Sequence, residues 1–282
     1  MAEAIITQLN IYPVKSLGAI SLNQSTLTTQ GLAFDRQWML VDAKGRFVTQ
    51  RQCPALAKIK PKLTDSELVL CCEGEQPLSI SLSALPQSKR MVQVWSDTAK
   101  ALDEGELVAQ WLSQALKEDW PRPIYLVRFD PKRQRPVSEK HLNAHESADT
   151  FFADGYPFLV TNEATLTWLN QKLEEKNLPE VTMDRFRPNI VVKGPAPLSE
   201  NSIRELSHNK YVLGLRKPCQ RCPMITVDQT EGVRQQPAGE PLRTLSELNT
   251  LGEEKPGAYF GQNAILLIGK SEQIAVGDRL EL

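Results

Sequence analysis

Short β-rich runs, each cut off by a turn residue before it can lengthen, fill the first hundred residues and constrain the fold most. IITQLNIYPV, WMLVDA, RFVTQ, ELVLCC, PLSISLS and MVQVW follow one another with Gly, Pro, Asp and Lys between them. Closely spaced strands of this kind bury one face each only by rolling into a barrel or stacking as a sandwich. WMLVDAKGRFVTQ reads as a hairpin with Lys44 and Gly45 in its turn. Beyond it, Leu107, Val108, Trp111, Leu112, Ala115 and Leu116 share one face of a helix. Pro121 and Pro123 then interrupt the pattern before a further strand, IYLVRF, and mark a domain boundary near residue 120.

The second half mixes strands with a few helices. Asn162 is placed to cap a helix whose Leu166, Leu169 and Leu173 form one stripe, with Pro179 beyond its end. FRPNIVV, YVLGLRK, MITVD, NAILLI and IAVGDRLEL read as strands, and LRTLSELN as a short helix. The polar, aperiodic segment between Asp130 and Asp149 reads as a long loop, a kind that is commonly functional or mobile. The resulting expectation is a mainly β protein with α+β elements.

The 282 residues carry 33 basic and 34 acidic side chains, a net charge of −1. A nucleic-acid binder needs a basic excess to displace counterions, so none is expected, and any anion site must be local. The N-terminal stretch lacks the basic, apolar and small-residue order of a signal peptide, and AILLIG is far shorter than the roughly 20 residues that cross a bilayer. No membrane association and a cytoplasmic location are expected. Five unevenly spread cysteines, Cys53, Cys71, Cys72, Cys219 and Cys222, suggest reduced thiols rather than a disulfide framework. Neither G-x-x-x-x-G-K-[ST] nor G-x-G-x-x-G occurs.

The most informative stretch is RKPCQRCPMITVD, Arg216 to Asp228. Two thiols at this spacing can clamp a metal, form a redox disulfide, or present one ligand beside a structural cysteine. A second C-x-x-C or a histidine pair, which structural zinc requires, is missing. The β-branched residues after Pro223 suggest a strand, where a thioredoxin-type motif opens a helix. Arg216, Lys217 and Arg221 give a positive surround that favours a thiolate and attracts an anionic ligand. A buried structural cysteine pair is the plainer alternative.

KPCQRCPMITVD, Gly232, PAGEPLRTL, YFGQN and VGDRLEL together resemble the signature of the MOSC domain. NIYPVKSLG, GLAFDRQWMLVD, FADGYPFLV and DRFRPNIVV resemble blocks of its N-terminal barrel and core in the mitochondrial amidoxime-reducing component and its bacterial relatives. The resemblance covers nearly the whole chain. It implies a MOSC N-terminal β-barrel domain at 1–119 and a MOSC β-barrel domain with a few helices at 120–282. It implies a molybdenum cofactor, Mo-molybdopterin, with Cys222 as the metal ligand, a role soft sulfur suits. At superfamily level alone it also carries pyridoxal phosphate binding.

By the same block matching, Lys15, Ser16, Arg36, Arg187, Asn189, Gln220 and Arg221 hold the pterin and its phosphate. Guanidinium forks, a lysine and amide donors are what such an anion asks for. Gly155, Tyr156 and Asn263 are weaker matches, and Asp228 is a catalytic candidate that could orient a site group or relay a proton. The implied activity is reduction of small N-hydroxylated compounds: hydroxylamines, amidoximes or N-hydroxylated bases. No plant-type C-x₄-C-x₂-C run occurs, so a separate flavoprotein, ferredoxin or cytochrome is expected to deliver electrons. The alternatives are a persulfide carrier, a non-catalytic cofactor carrier, and a two-barrel binding module with structural cysteines.

Other residues have plainer readings. Arg36, Arg185 and Arg187 could each pair with a surface carboxylate, and a strand-end aspartate such as Asp228 commonly closes a turn. His141 and His145 read as solvated, and Lys132, Arg133 and Arg135 as a solvated basic run that an acidic electron donor could meet. Trp95, Trp111, Trp120 and Trp168 are assigned to cores.

Overall fold

The computed structural model describes residues 3–95 and 97–282; the first two residues of the N-terminal stretch and Ser96 lie outside it. The protein is mainly β, organised around a ring of seven strands. In spatial order the ring runs Ile190–Lys193, Phe158–Asn162, Tyr259–Ile268, Val212–Gln220, Glu205–Ser207, Arg279–Glu281 and Glu3–Ile11. Glu3–Ile11 closes it by pairing back onto Ile190–Lys193, with Ile6 opposite Val192 and Leu9 opposite Ile190. Alternation sorts the faces: Ala4, Ile6, Phe158, Val160, Leu213, Leu215, Ala264 and Leu266 fill one apolar cluster.

A five-stranded sheet stands beside the ring, in the order Lys89–Val94, Asp97–Asp103, Ile124–Arg128, Trp38–Asp42, Val14–Lys15. Asp97–Asp103, DTAKALD, is too polar to read as a strand; its pairing with Lys89–Val94 supplies the structure that its own sequence does not. The helix Glu106–Ala115 buries Val108, Ala109 and Leu112 against this half and leaves Leu107 in solvent. The Lys44–Gly45 turn forms, but its second arm is held by single bridges at Phe47 and Arg46 rather than a full strand.

Pairing interleaves the chain's two halves. Glu3–Ile11 is a stave among strands of the second half, and Gln273–Ala275 pairs with Gln24–Thr28. Asn162 caps the helix Glu163–Glu174 through its side chain, which accepts from the Ala164 N–H at 3.1 Å. Leu169 and Leu173 then bury over Phe186 and Phe260, whose rings stack at 3.8 Å.

MITVD departs from the strand expectation. Pro223–Thr226 is a single 3₁₀ turn followed by an isolated bridge at Val227. Proline at its start suits a helical turn, and Thr226 Oγ1 donates back to the Pro223 carbonyl at 2.8 Å, so local bonding overrides β-branching. Among the described residues, no helix is long and apolar enough to cross a membrane.

Candidate functional site

Where the ring meets the five-stranded sheet, the loops between staves open a cleft of about 840 Å³. Lys15, Ser16, Arg36, Gly155, Tyr156, Arg187, Asn189, Gln220, Arg221, Cys222 and Asn263 all line it. Seven cationic side chains (Lys15, Arg36, Arg135, Lys140, Arg187, Lys217, Arg221) face two carboxylates, Asp97 and Asp154. In a chain of net charge −1 this is a local concentration of positive potential.

Three of these residues adopt left-handed backbone: Ser16 at φ 70°, Arg36 at 48° and Arg187 at 55°. Each such non-glycine residue costs about 1–3 kcal/mol, and such outliers gather at ligand sites. The surroundings that hold them are specific. Tyr12 lies between the two guanidiniums, with Arg36 Cζ 4.3 Å and Arg187 Cζ 4.1 Å from its ring centroid. Arg36 donates through Nη1 to Asp35 Oδ2 at 2.5 Å and Asn189 Oδ1 at 2.9 Å, and through Nη2 to the Arg187 carbonyl at 3.2 Å. Burial draws Arg187 down to about 10, with Arg36 adding to the fall and Tyr12 opposing it.

Lys15 is buried and donates to the Phe152 carbonyl at 2.7 Å and Asp154 Oδ1 at 2.5 Å. Burial lowers its pKa against the opposing pull of Asp154. Asp154 is itself 57% exposed and also accepts from Trp95 Nε1 at 3.2 Å. Desolvation would raise its carboxyl, but the Lys15 ammonium, with Arg51 and the Trp95 indole, holds it well below the usual range.

At the thiol end, both cysteines of the C-x-x-C pair are free. Cys219 Sγ accepts from Arg221 Nη1 at 2.9 Å, while Arg221 Nη2 anchors on the Phe186 carbonyl at 2.8 Å. Cys222 faces a different cation: Arg51 Nη1 lies 4.0 Å from its Sγ. Arg216, expected in the positive surround, instead turns to Glu146, with Nη2 2.6 Å from Oε1 and Nε 2.8 Å from Oε2. Its carboxylate partner neutralises it, leaving Arg51 and Arg221 beside the sulfurs.

The structure adds residues that motif reading left out. Trp95, assigned to a core, is 45% exposed and lines the cleft, its ring under the Arg51 guanidinium at 4.8 Å. Asp154 stands inside the FADGY block and could have been found there; Arg51 has no local signal, because only the tertiary fold carries it to Cys222. Arg135 leaves the solvated run to donate to the Phe151 and Ala153 carbonyls at 3.0 and 2.6 Å, shaping the wall that presents Asp154. His141 is exposed yet stands on the cleft's rim.

Asp228 lies outside the cleft lining. Its Oδ1 accepts from the N–H groups of Thr230 and Glu231, both at 2.9 Å, and its Oδ2 from Arg185 Nη2 at 2.8 Å. Those contacts, led by the Glu231 N–H, hold its carboxyl below the usual range. It closes a turn and neutralises a buried guanidinium.

A test of what the cleft would hold comes from its unpartnered groups. Ser16 Oγ, Thr150 Oγ1, Tyr156 Oη and Arg221 Nε are buried without a protein hydrogen-bond partner, and all four residues line the cleft. Buried polar atoms ordinarily have partners, so this set suits an acceptor-rich anion, with a free thiol at one end for a soft metal. The donor set therefore fits an anionic pterin whose metal takes one protein sulfur.

Comparison with known proteins identifies the family of the chain. The MOSC N-terminal beta barrel domain matches residues 3–119, and the MOSC domain matches residues 147–281. The chain belongs to the MOSC-domain family. Its MOSC relatives include the molybdenum cofactor sulfurase of Drosophila grimshawi, 33% identical over 264 residues that make up 91% of this chain and 32% of the relative. The molybdenum cofactor sulfurase of Bos taurus is 30% identical over 258 residues, 86% of this chain and 29% of the relative. The MOSC chain thus spans about a third of the length of these relatives. A solution structure of a Bordetella bronchiseptica protein aligns at a TM-score of 0.30 and 22% identity, over 38% of this chain and 88% of that one.

Proposed function

We propose that the cleft binds the molybdenum cofactor through Cys222 and that the loaded protein reduces small N-hydroxylated compounds with electrons from a separate donor protein. The observation that carries the reading is the convergence of a free thiol, a cation-rich wall and unpartnered buried donors in one cleft. Membership of the MOSC family and the sulfurase relatives support a molybdenum-cofactor connection.

Each end of the cleft would have its own task. Arg36 and Arg187, with Ser16 and Lys15, would take the pterin phosphate, since guanidiniums match its geometry bidentately. Tyr156, Gln220, Arg221 and Asn263 would offer polar contacts to the pterin, and Cys222 its sulfur to the metal. When bound, the cofactor supplies the two-electron chemistry that cleaves an N–O bond. For a hydroxylamine the balance is R–NH–OH plus two electrons and two protons giving R–NH₂ and water.

The sulfurase relatives favour a second reading, a persulfide carried on Cys222. Molybdenum and released pterin, measured on protein from a cofactor-competent host, separate the two. The reductase reading expects near-stoichiometric metal lost in Cys222→Ser and retained in Cys219→Ser, with turnover of N-hydroxylated substrates under artificial donors. Metal and pterin without turnover would indicate a non-catalytic carrier. Folded wild type lacking both, but carrying cyanide-labile sulfur on Cys222, would replace the reductase by the persulfide carrier.

A further inference from the structure

A second cavity of about 690 Å³ lies against the cleft, sharing Trp95 as a wall. Its size falls within the range of small-molecule sites, and its make-up follows their pattern of aromatic surface with a few placed charges. Phe47 and Trp95 meet at 5.3 Å between ring centroids, and Trp120 contributes a third ring. Lys44, Arg46 and Arg122 supply three cations against one carboxylate, Asp42, which is already paired with Arg46 at 2.8 Å. Arg122 Cζ lies 5.4 Å from the Trp120 ring centroid, and Trp120 Nε1 is a buried donor without a partner.

The cavity is also preformed. Gly45, at φ 75°, lets the hairpin tip lie so close to the next strand that a Cβ there would stand 2.1 Å from the Met91 carbonyl oxygen. The Gly45 carbonyl accepts from the Gln93 N–H at 2.8 Å, tying the hairpin tip to the strand whose end carries Trp95, against which Phe47 packs. A preorganised pocket loses little conformational entropy on binding.

We propose that this cavity is a second ligand site, taking a planar aromatic ring that bears a carboxylate or phosphate. The ring would stack among Phe47, Trp95 and Trp120, and the anion would meet Arg122, Lys44 and the Trp120 indole N–H. This site does not rest on the cofactor reading, because none of its residues except Trp95 belongs to the cleft.

Titration calorimetry of the full chain with 1-naphthoate and its neutral analogue 1-naphthamide tests it. Saturable one-to-one binding of 1-naphthoate is expected, weakened about tenfold in Arg122→Ala, an exposed position that leaves the core intact. 1-Naphthamide should bind more weakly and be indifferent to Arg122→Ala. Trp120→Phe, which keeps a ring and removes the donor, should weaken 1-naphthoate about fivefold. Cleft variants Cys222→Ser and Lys217→Ala should leave the affinity unchanged. Absence of binding, or binding lost in Lys217→Ala and retained in Arg122→Ala, would overturn the proposal.

Discussion

Asn189 Oδ1 accepts from Arg36 Nη1 at 2.9 Å, joining residues 153 positions apart and tying the first half of the chain to the second at the floor of the cleft. The same oxygen accepts from the Leu159 N–H at 3.1 Å, and Asn189 Nδ2 donates to the Asn10 carbonyl at 3.1 Å. One buried amide therefore registers two ring strands and aims a guanidinium.

Removing that amide should damage fold and cleft together. Asn189→Ala leaves the buried Leu159 N–H and one Arg36 donor unpaired, at a cost of about 1–3 kcal/mol. Urea unfolding measures it; a change below a few tenths of a kcal/mol would deny Asn189 the bracing role.

Asp228→Asn is expected to weaken the fold and spare the site. Arg185 is 6% exposed, with Nε and Nη1 lacking any partner; Asp228 is its ion-pair partner among the described residues, and the Asp184 carboxylate adds a weaker attraction. Uncovering a buried charge costs about 3–5 kcal/mol when the pair is fully enclosed, and less here because Asp228 is 32% exposed. Pterin bound per folded molecule should match wild type. Loss of pterin at unchanged stability would return Asp228 to the site.

Acid should loosen the loop that carries Lys140 and His141. Hydrogen bonding by Arg216 brings the Glu146 carboxyl from 4.5 down to about 2 in the folded state. A depressed folded pKa gives stability that is complete above the unfolded value and lost as pH falls toward the folded one. Urea midpoints of wild type should therefore drop between about pH 4.5 and 2, more steeply than those of Glu146→Gln. Parallel slopes would show that the ion pair does not hold the loop.

Gly45→Ala should be severe for so small a change. The left-handed backbone alone costs a side chain about 1–2 kcal/mol, and the contact with the Met91 carbonyl adds overpacking of about 1–3 kcal/mol. Thermal and urea unfolding should both register a loss. Wild-type stability would mean that the hairpin tip can lift from its neighbouring strand.

Much of the fold is legible because its determinants are local. Alternation in Glu67–Cys71, the Asn162 cap and the apolar stripe ending at Leu173 act over a few residues, and the structure keeps them. Legibility fails where bonding partners are distant or unusual. Asp97–Asp103 is a strand because Lys89–Val94 and Ile124–Arg128 pair with its two edges, and MITVD is a turn because Pro223 and Thr226 close it.

The same division runs through the site. The sequence by itself determined the chemical inventory: a cysteine in a C-x-R-C block, arginines, a lysine and amides in ordered motifs. Only the tertiary structure decided which of them share a space. Ring closure by Glu3–Ile11 and the adjoining sheet bring Lys15, Arg36, Arg187 and Cys222 to one cleft, add Trp95 and Asp154 to its lining, set Arg51 beside the Cys222 sulfur, and leave Asp228 outside. The reason is physical: strand propensity and capping are set by neighbours in sequence, whereas proximity across 150 residues is set by which edges pair and which faces are buried.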